Sequence, residues 1–229
     1  ANAASGSVIA MPTSSAASGR EADQILAELA FFTAHRQSLG SFPDRETLPW
    51  DPFSPHPDLV SQRLRTLAAL PDLRQGLVVT TRAALLDRLP PRQFIEAHAF
   101  SLRSGDRIDL PQLRKRLTDS GYAMVSQVLS PGEFAVRGSV VDLFPAGAEK
   151  PFRLDLFDDE IESIKTFDVD TQRTVFPVPE VRLLPAREFP LDEKGQARFR
   201  QSFRDRFEGD PSKSRIYKDV SKRIAPAGI

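Results

Sequence analysis

Along residues 131–145, PGEFAVRGSVVDLFP, apolar positions alternate with a few polar ones, the pattern of a half-buried strand. Successive strand side chains point to opposite faces. A single strand through this run would therefore group Phe134, Val136, Val140 and Phe144 on one face and Ala135, Arg137, Ser139, Val141 and Leu143 on the other. The first set is the expected core face, which sends Arg137 to the opposite, partly wet side of the sheet. The run PFRLDLFDD behaves alike, with Phe152, Leu154 and Leu156 on one face and Arg153, Asp155 and Phe157 on the other. Phe157 is an aromatic among polar neighbours. Two readings stay open at this point. Either a helix of the same lobe covers Phe157 while the arginines pair with Asp142, Asp155 or Glu160, or the arginines and the ring face a partner. Arginine and aromatic residues are enriched at interface hot spots, where one truncation costs about 2 kcal/mol or more.

The remaining pattern divides the chain into unlike parts. GSVIAMP (6–12) has strand character and is followed by a small-residue loop, TSSAASGREAD, and then by Ile25, Leu26, Leu29 and Phe32 at helical spacing, the opening of an α/β unit. A proline-rich loop precedes a helix carrying Leu59, Leu64 and Leu67. GLVVTT (76–81) reads as a second buried strand, and Thr81 is placed to cap a short helix that Pro90 and Pro91 end. From about residue 99 the rhythm changes. A helix, LPQLRKRLTDSG, with Asp109 or a near neighbour as its cap and Gly121 just past its end, leads into strands at AMVSQVLS, GEFAVRGSVVDLFP, PFRLDLFDD and EIESIKTFD. PAGAEKP and DDE are the turns between them. After about residue 186 helical periodicity returns, and Phe199, Phe203 and Phe207 recur every four residues, as on an amphipathic helix that buries a phenylalanine stripe.

Composition narrows the chemistry. The 229 residues are 40% hydrophobic and 27% charged, ordinary for a folded chain able to bury a core with a second small lobe. Lysine plus arginine (31) equals aspartate plus glutamate (31), which removes the general basic field of most nucleic-acid binders. With no cysteine there are no disulfides, thiolate metal sites or cysteine nucleophiles, and a reducing, cytoplasmic setting is expected. No apolar run approaches the roughly 20 residues of a membrane span. The missing initial methionine and the abrupt end suggest a piece of a longer protein.

The sequence carries no catalytic signature of the common kinds. A phosphate loop needs G-x-x-x-x-G-K-[ST], and in TSSAASGREAD Gly19 is followed by Arg20 and Glu21 instead. The three histidines, His35, His56 and His98, lie far apart without metal-ligand spacing. Asp158, Asp159 and Glu160 read as a solvated turn rather than a catalytic acid pair, and no serine sits in a G-x-S-x-G elbow. No catalytic, cofactor-binding or metal-binding residues are expected.

The stretch GYAMVSQVLSPGEFAVRGSVVDLFPAGAEKPFRLDLFDDEIESIKTFDVDTQRT closely resembles the lobe shared by the bacterial nucleotide-excision-repair protein UvrB and the transcription-repair coupling factor Mfd. ETLPWDPFSPHPDLVSQRLRTL, LLPAREFP and VSKRIAPAGI resemble the amino-terminal UvrB-homology module of the Mfd family in particular. The resemblance implies an α/β fold in which residues 1–98 and 186–229 form a degenerate motor-like domain of the RecA/UvrB domain 1 type. Residues 99–185 would then be an inserted α+β lobe with an antiparallel sheet that recruits UvrA. It further implies that Arg137, Arg153 and Phe157 are the UvrA-binding residues, and that a carboxy-terminal domain of the full-length protein masks them. RNA polymerase and DNA would be engaged by parts absent from this chain, which belong to an ATP-dependent translocase. Two rivals stand beside this adaptor reading: a vestigial UvrB-like helicase, and a DNA-binding module using the arginines of LRKRL and of the 198–206 helix.

Overall fold

The computed structural model describes residues 19–33, 38–48 and 51–226. The expected strand at 6–12, the loop at 13–18 and His35 lie outside the described residues. Helix α1 (Gly19–Thr33) is followed by strand β1 (Ser38–Phe42), helix α2 (Pro57–Ala69) and strand β2 (Gly76–Thr80). β1 and β2 pair in parallel, and both helices pack on β1, so this part is a small α/β unit. His56 caps α2 through Nδ1, which accepts from Asp58 N at 3.3 Å. The Thr81 hydroxyl accepts from Ala84 N at 3.2 Å and starts helix α3 (Arg82–Leu86). α3 stops well before Pro90 and Pro91, so those prolines are not what ends it.

A short helix, α4 (Arg92–His98), then passes into strand β3 (Phe100–Arg103). Helix α5 (Leu110–Asp119) begins at Asp109, whose carboxylate accepts from Gln112 N at 2.9 Å, and closes at Gly121, where φ is +98°. The main sheet follows: β4 (Ala123–Met124), β5 (Glu133–Arg137), β6 (Val140–Phe144), β7 (Phe152–Phe157), β8 (Glu160–Phe167) and β9 (Thr174–Val178), in spatial order of sequence. Every pair is antiparallel except β4 with β5. Strand β10 (Glu180–Leu183) pairs back with β3, bringing the two ends of the segment together.

Two apolar cores flank this sheet. On one face Phe134, Val141, Leu143, Leu154, Ile161 and Ile164 are buried with Leu113 and Leu117 of α5 and with Leu102, Val181 and Leu183 of the β3–β10 pair. On the other, Ala135, Phe144, Phe167 and Val128 form a smaller cluster at one end only. Tyr122 ties the elements together. Its hydroxyl donates to Leu184 O at 2.7 Å and accepts from Ala146 N at 3.2 Å, and its burial pushes the phenol pKa up. A third cluster, Leu64, Ile95, Ala146 and Leu184, joins α2 and α4 to the sheet segment.

The chain ends in helices α6 (Glu193–Arg206) and α7 (Arg215–Ser221), which pack on each other. Here the expected phenylalanine stripe is only partly buried. Phe199, Phe203 and Phe207 stack along α6, and the first two also lie against Tyr217 of α7, while Phe207 stays exposed. The one buried residue of α6 is Gln196. Among the described residues no helix is long and apolar enough to cross a membrane.

Candidate functional site

The run 131–145 is not one strand. It folds back at Gly138 (φ +59°) and Ser139, so that Arg137 stands opposite Val140, Ala135 opposite Asp142 and Glu133 opposite Phe144. Directly opposed residues of an antiparallel pair share a face. The turn therefore reverses the alternation expected for β6. Val140 and Phe144 lie on the Arg137 face, whereas Val141 and Leu143 join Phe134 in the larger core. The β7 alternation is as the pattern predicts, with Leu154 and Leu156 buried.

On the face opposite the larger core, the register sets Asp142 beside Arg153 and Arg153 beside Lys165, with Val140 beside Asp155 and Asp155 beside Ser163 in the next row. Asp142 is the hub. Its side chain is 1% exposed, and both of its oxygens are engaged. Arg153 donates from Nε to Oδ1 at 2.6 Å and from Nη2 to Oδ2 at 2.9 Å, while Arg137 donates from Nη2 to the same Oδ2. Arg153 also donates from Nη1 to Gln172 O at 3.1 Å and lies 5.0 Å from the centre of the Phe167 ring. The hydrogen bonds to Asp142 raise the Arg153 pKa above its ordinary value.

The arginines differ in what they leave free. Arg153 is 18% exposed and uses three of the five N–H groups a guanidinium carries, whereas Arg137 is 49% exposed and uses one. Asp155 turns away from both. It accepts from Ser163 Oγ and Lys165 Nζ, each at 2.8 Å. Phe157 closes β7 beside Glu160 and is 71% exposed, so no helix of the lobe covers it. The adjoining turn is held by Arg107, 3.5 Å from Asp159, and Asp158 takes a positive φ of 54°. Sequence reasoning passed over Lys165 and the Gln172 carbonyl. Lys165 could have been found from its two-residue spacing to Ser163 on a strand facing β7, whereas the carbonyl leaves no side-chain signal.

Elsewhere, His98 Nδ1 lies 2.9 Å from Phe94 O within its own helix. Among the described residues no three histidine, aspartate or glutamate side chains gather as a metal site would require. The exposed face thus offers guanidinium donors, an ammonium group and an aromatic ring, equipment for binding anionic and apolar groups together.

Residues 100–189 match the family described as the UvrB interaction domain. The chain is 45% identical to the transcription-repair-coupling factor of Escherichia coli K12 over 202 residues, covering 88% of this chain and 17% of that protein. It is 44% identical to the transcription-repair-coupling factor of Haemophilus influenzae over 209 residues, 90% of this chain and 18% of the relative. Against the factor from Staphylococcus aureus USA300 the identity is 33% over 188 residues, 82% of this chain and 16% of the relative. The chain spans less than a fifth of the length of these curated relatives. Residues 100–189 thus match the UvrB interaction domain family, in a chain similar over most of its length to one part of the transcription-repair-coupling factors.

Proposed function

We propose that this chain is a noncatalytic adaptor of transcription-coupled nucleotide excision repair that recruits UvrA, with Arg137, Arg153 and Phe157 as its contact residues. The observation that carries the reading is the Phe157 ring, exposed at the open end of a sheet face whose two arginines are gathered on one buried carboxylate. Burying that ring against UvrA would supply the apolar part of the interface. The free N–H groups of Arg137 and Arg153 would meet carboxylates of the partner in charge-assisted hydrogen bonds. In this reading residues 99–185 are the docking lobe, and residues 1–98 and 186–229 are a degenerate motor domain of the RecA type that carries it. The full-length protein would engage RNA polymerase and DNA through other parts and mask the face with a carboxy-terminal domain.

Titration calorimetry of UvrA with this chain tests the proposal. Saturable binding is expected, and Phe157→Ala, with its fold checked by circular dichroism, is expected to cost about 2 kcal/mol, roughly thirtyfold in Kd. Unchanged affinity in that folded variant would remove Phe157 from the interface. Absence of any binding by the unaltered chain would sink the adaptor reading.

A further inference from the structure

A buried carboxylate that receives two guanidinium groups does more than balance charge. Asp142 sits at the centre of β6, opposite Arg153 in the register, with its side chain almost wholly out of solvent. Arg153 meets it side-on with two parallel N–H donors, a geometry that fixes both the position and the plane of the guanidinium. The third donor of Arg153 is taken by Gln172 O, from a residue in the left-handed conformation at φ +58°. Arg137 reaches the same Asp142 oxygen from the neighbouring strand, diagonal to it in the register. Without these anchors two long side chains would each lose rotamer freedom on binding.

We infer that Asp142 is a positioning residue of the docking surface, holding the guanidinium groups of Arg137 and Arg153 so that their remaining donors face one partner surface before it arrives. This deepens the proposed function and rests on it. Asp142 itself touches no partner. It acts by removing conformational freedom from two residues that do, and by taking the inner donors of each guanidinium so that the outer ones are left for partner carboxylates. A second consequence concerns charge: two cations share one anion, so the cluster keeps a net positive charge for an acidic partner although the chain as a whole has none.

The test compares Asp142→Asn, nearly the same shape without the charge, in two backgrounds. In the unaltered chain it is expected to weaken UvrA binding about tenfold. In the Arg137→Ala/Arg153→Ala background, where nothing is left to position, it should change the affinity less than twofold. Equal losses in both backgrounds, or full affinity for Asp142→Asn alone, would overturn the inference. Because the substitution could unfold the lobe, the arginine Nε–H resonances of the unaltered protein give an independent reading. The Arg153 Nε–H signal should exchange slowly with solvent and stay slow when UvrA is added; exchange as fast as that of exposed arginines would overturn the inference without any variant. Wild-type affinity in Arg137→Ala/Arg153→Ala would remove the docking role itself, and the slow Arg153 signal would identify that failure as one of function and not of geometry.

Discussion

A partly buried carboxylate keeps its charge at low pH only where donors outweigh the cost of desolvation. At Asp155 burial raises the pKa, but hydrogen bonds from Lys165 and Ser163, with the charges of Lys165 and Arg153, bring it below the usual range. The sign of the consequence follows from linkage. A group whose folded pKa is depressed adds stability that is fully present above its unfolded pKa, roughly 3.9, and is lost as pH falls through the folded value. Asp155→Asn is therefore expected to lower the melting temperature at pH 7, and the gap between variant and parent should close as the pH is taken below about 4. A gap that stays constant across that range would mean that Asp155 stabilises the sheet by something other than its charge.

At the scale of elements, capping chemistry was legible in the sequence and pairing was not. Asp109, Thr81 and Gly121 act as their residue types predict, because a cap is decided by a side chain and the backbone within three residues of it. Asp109→Ala should accordingly cost about 1 kcal/mol in urea unfolding, since Gln112 N–H loses its acceptor at the first turn of α5. Strand β1 carried no comparable signal. Its sequence, SLGSF, becomes a strand through its parallel partner β2 and through α2, where Thr66 Oγ1 donates to Ser41 O at 2.6 Å. The β5–β6 hairpin shows the same limit in sharper form. Alternation assigned the right face to Arg137 but the wrong one to Val140 and Val141, because a two-residue turn at Gly138 and Ser139 reverses parity, and a single strand through the run ignores that Gly-Ser turn signal. That reversal is also what puts Asp142 on the face of the arginines, so the central contact of the site was hidden by the turn. The α6 stripe erred for a related reason. Helical spacing selects a face, but what covers that face is a matter of tertiary packing, and here α7 covers part of it.

At the scale of the whole molecule, the first α/β unit and the segment that returns from the lobe meet at a buried ion cluster. Arg63 of α2 has no exposed side-chain surface, and its Nε donates to Glu188 Oε1 at 2.5 Å while Nη1 donates to Pro43 O at 2.7 Å. Its Nη2 lies 3.1 Å from Asp87, beyond the end of α3, and its guanidinium stands 4.3 Å from the centre of the Phe42 ring. Arg45 adds a second cation to Glu188 at 2.5 Å. Four separate stretches of chain are thus joined through two side chains that are almost wholly buried. Burying a pair of charges costs desolvation that their attraction only about repays, so the net worth of such a cluster is small while it is whole. Removing one partner is different, because the other stays charged with only part of its pairing, Arg63 with Asp87 or Glu188 with Arg45. Glu188→Ala is expected to destabilise the chain by about 3 kcal/mol in urea unfolding, the lower end for a broken buried pair because Asp87 still faces Arg63, and Arg63→Met by a similar amount. Arg63→Met combined with Glu188→Leu should cost clearly less than the sum of the two single changes, since the double variant strands neither charge. Strict additivity in that cycle would show that the two residues stabilise the molecule independently. It would also show that the link between the first unit and the returning segment is carried by the apolar cluster of Leu64, Ile95, Ala146 and Leu184 instead.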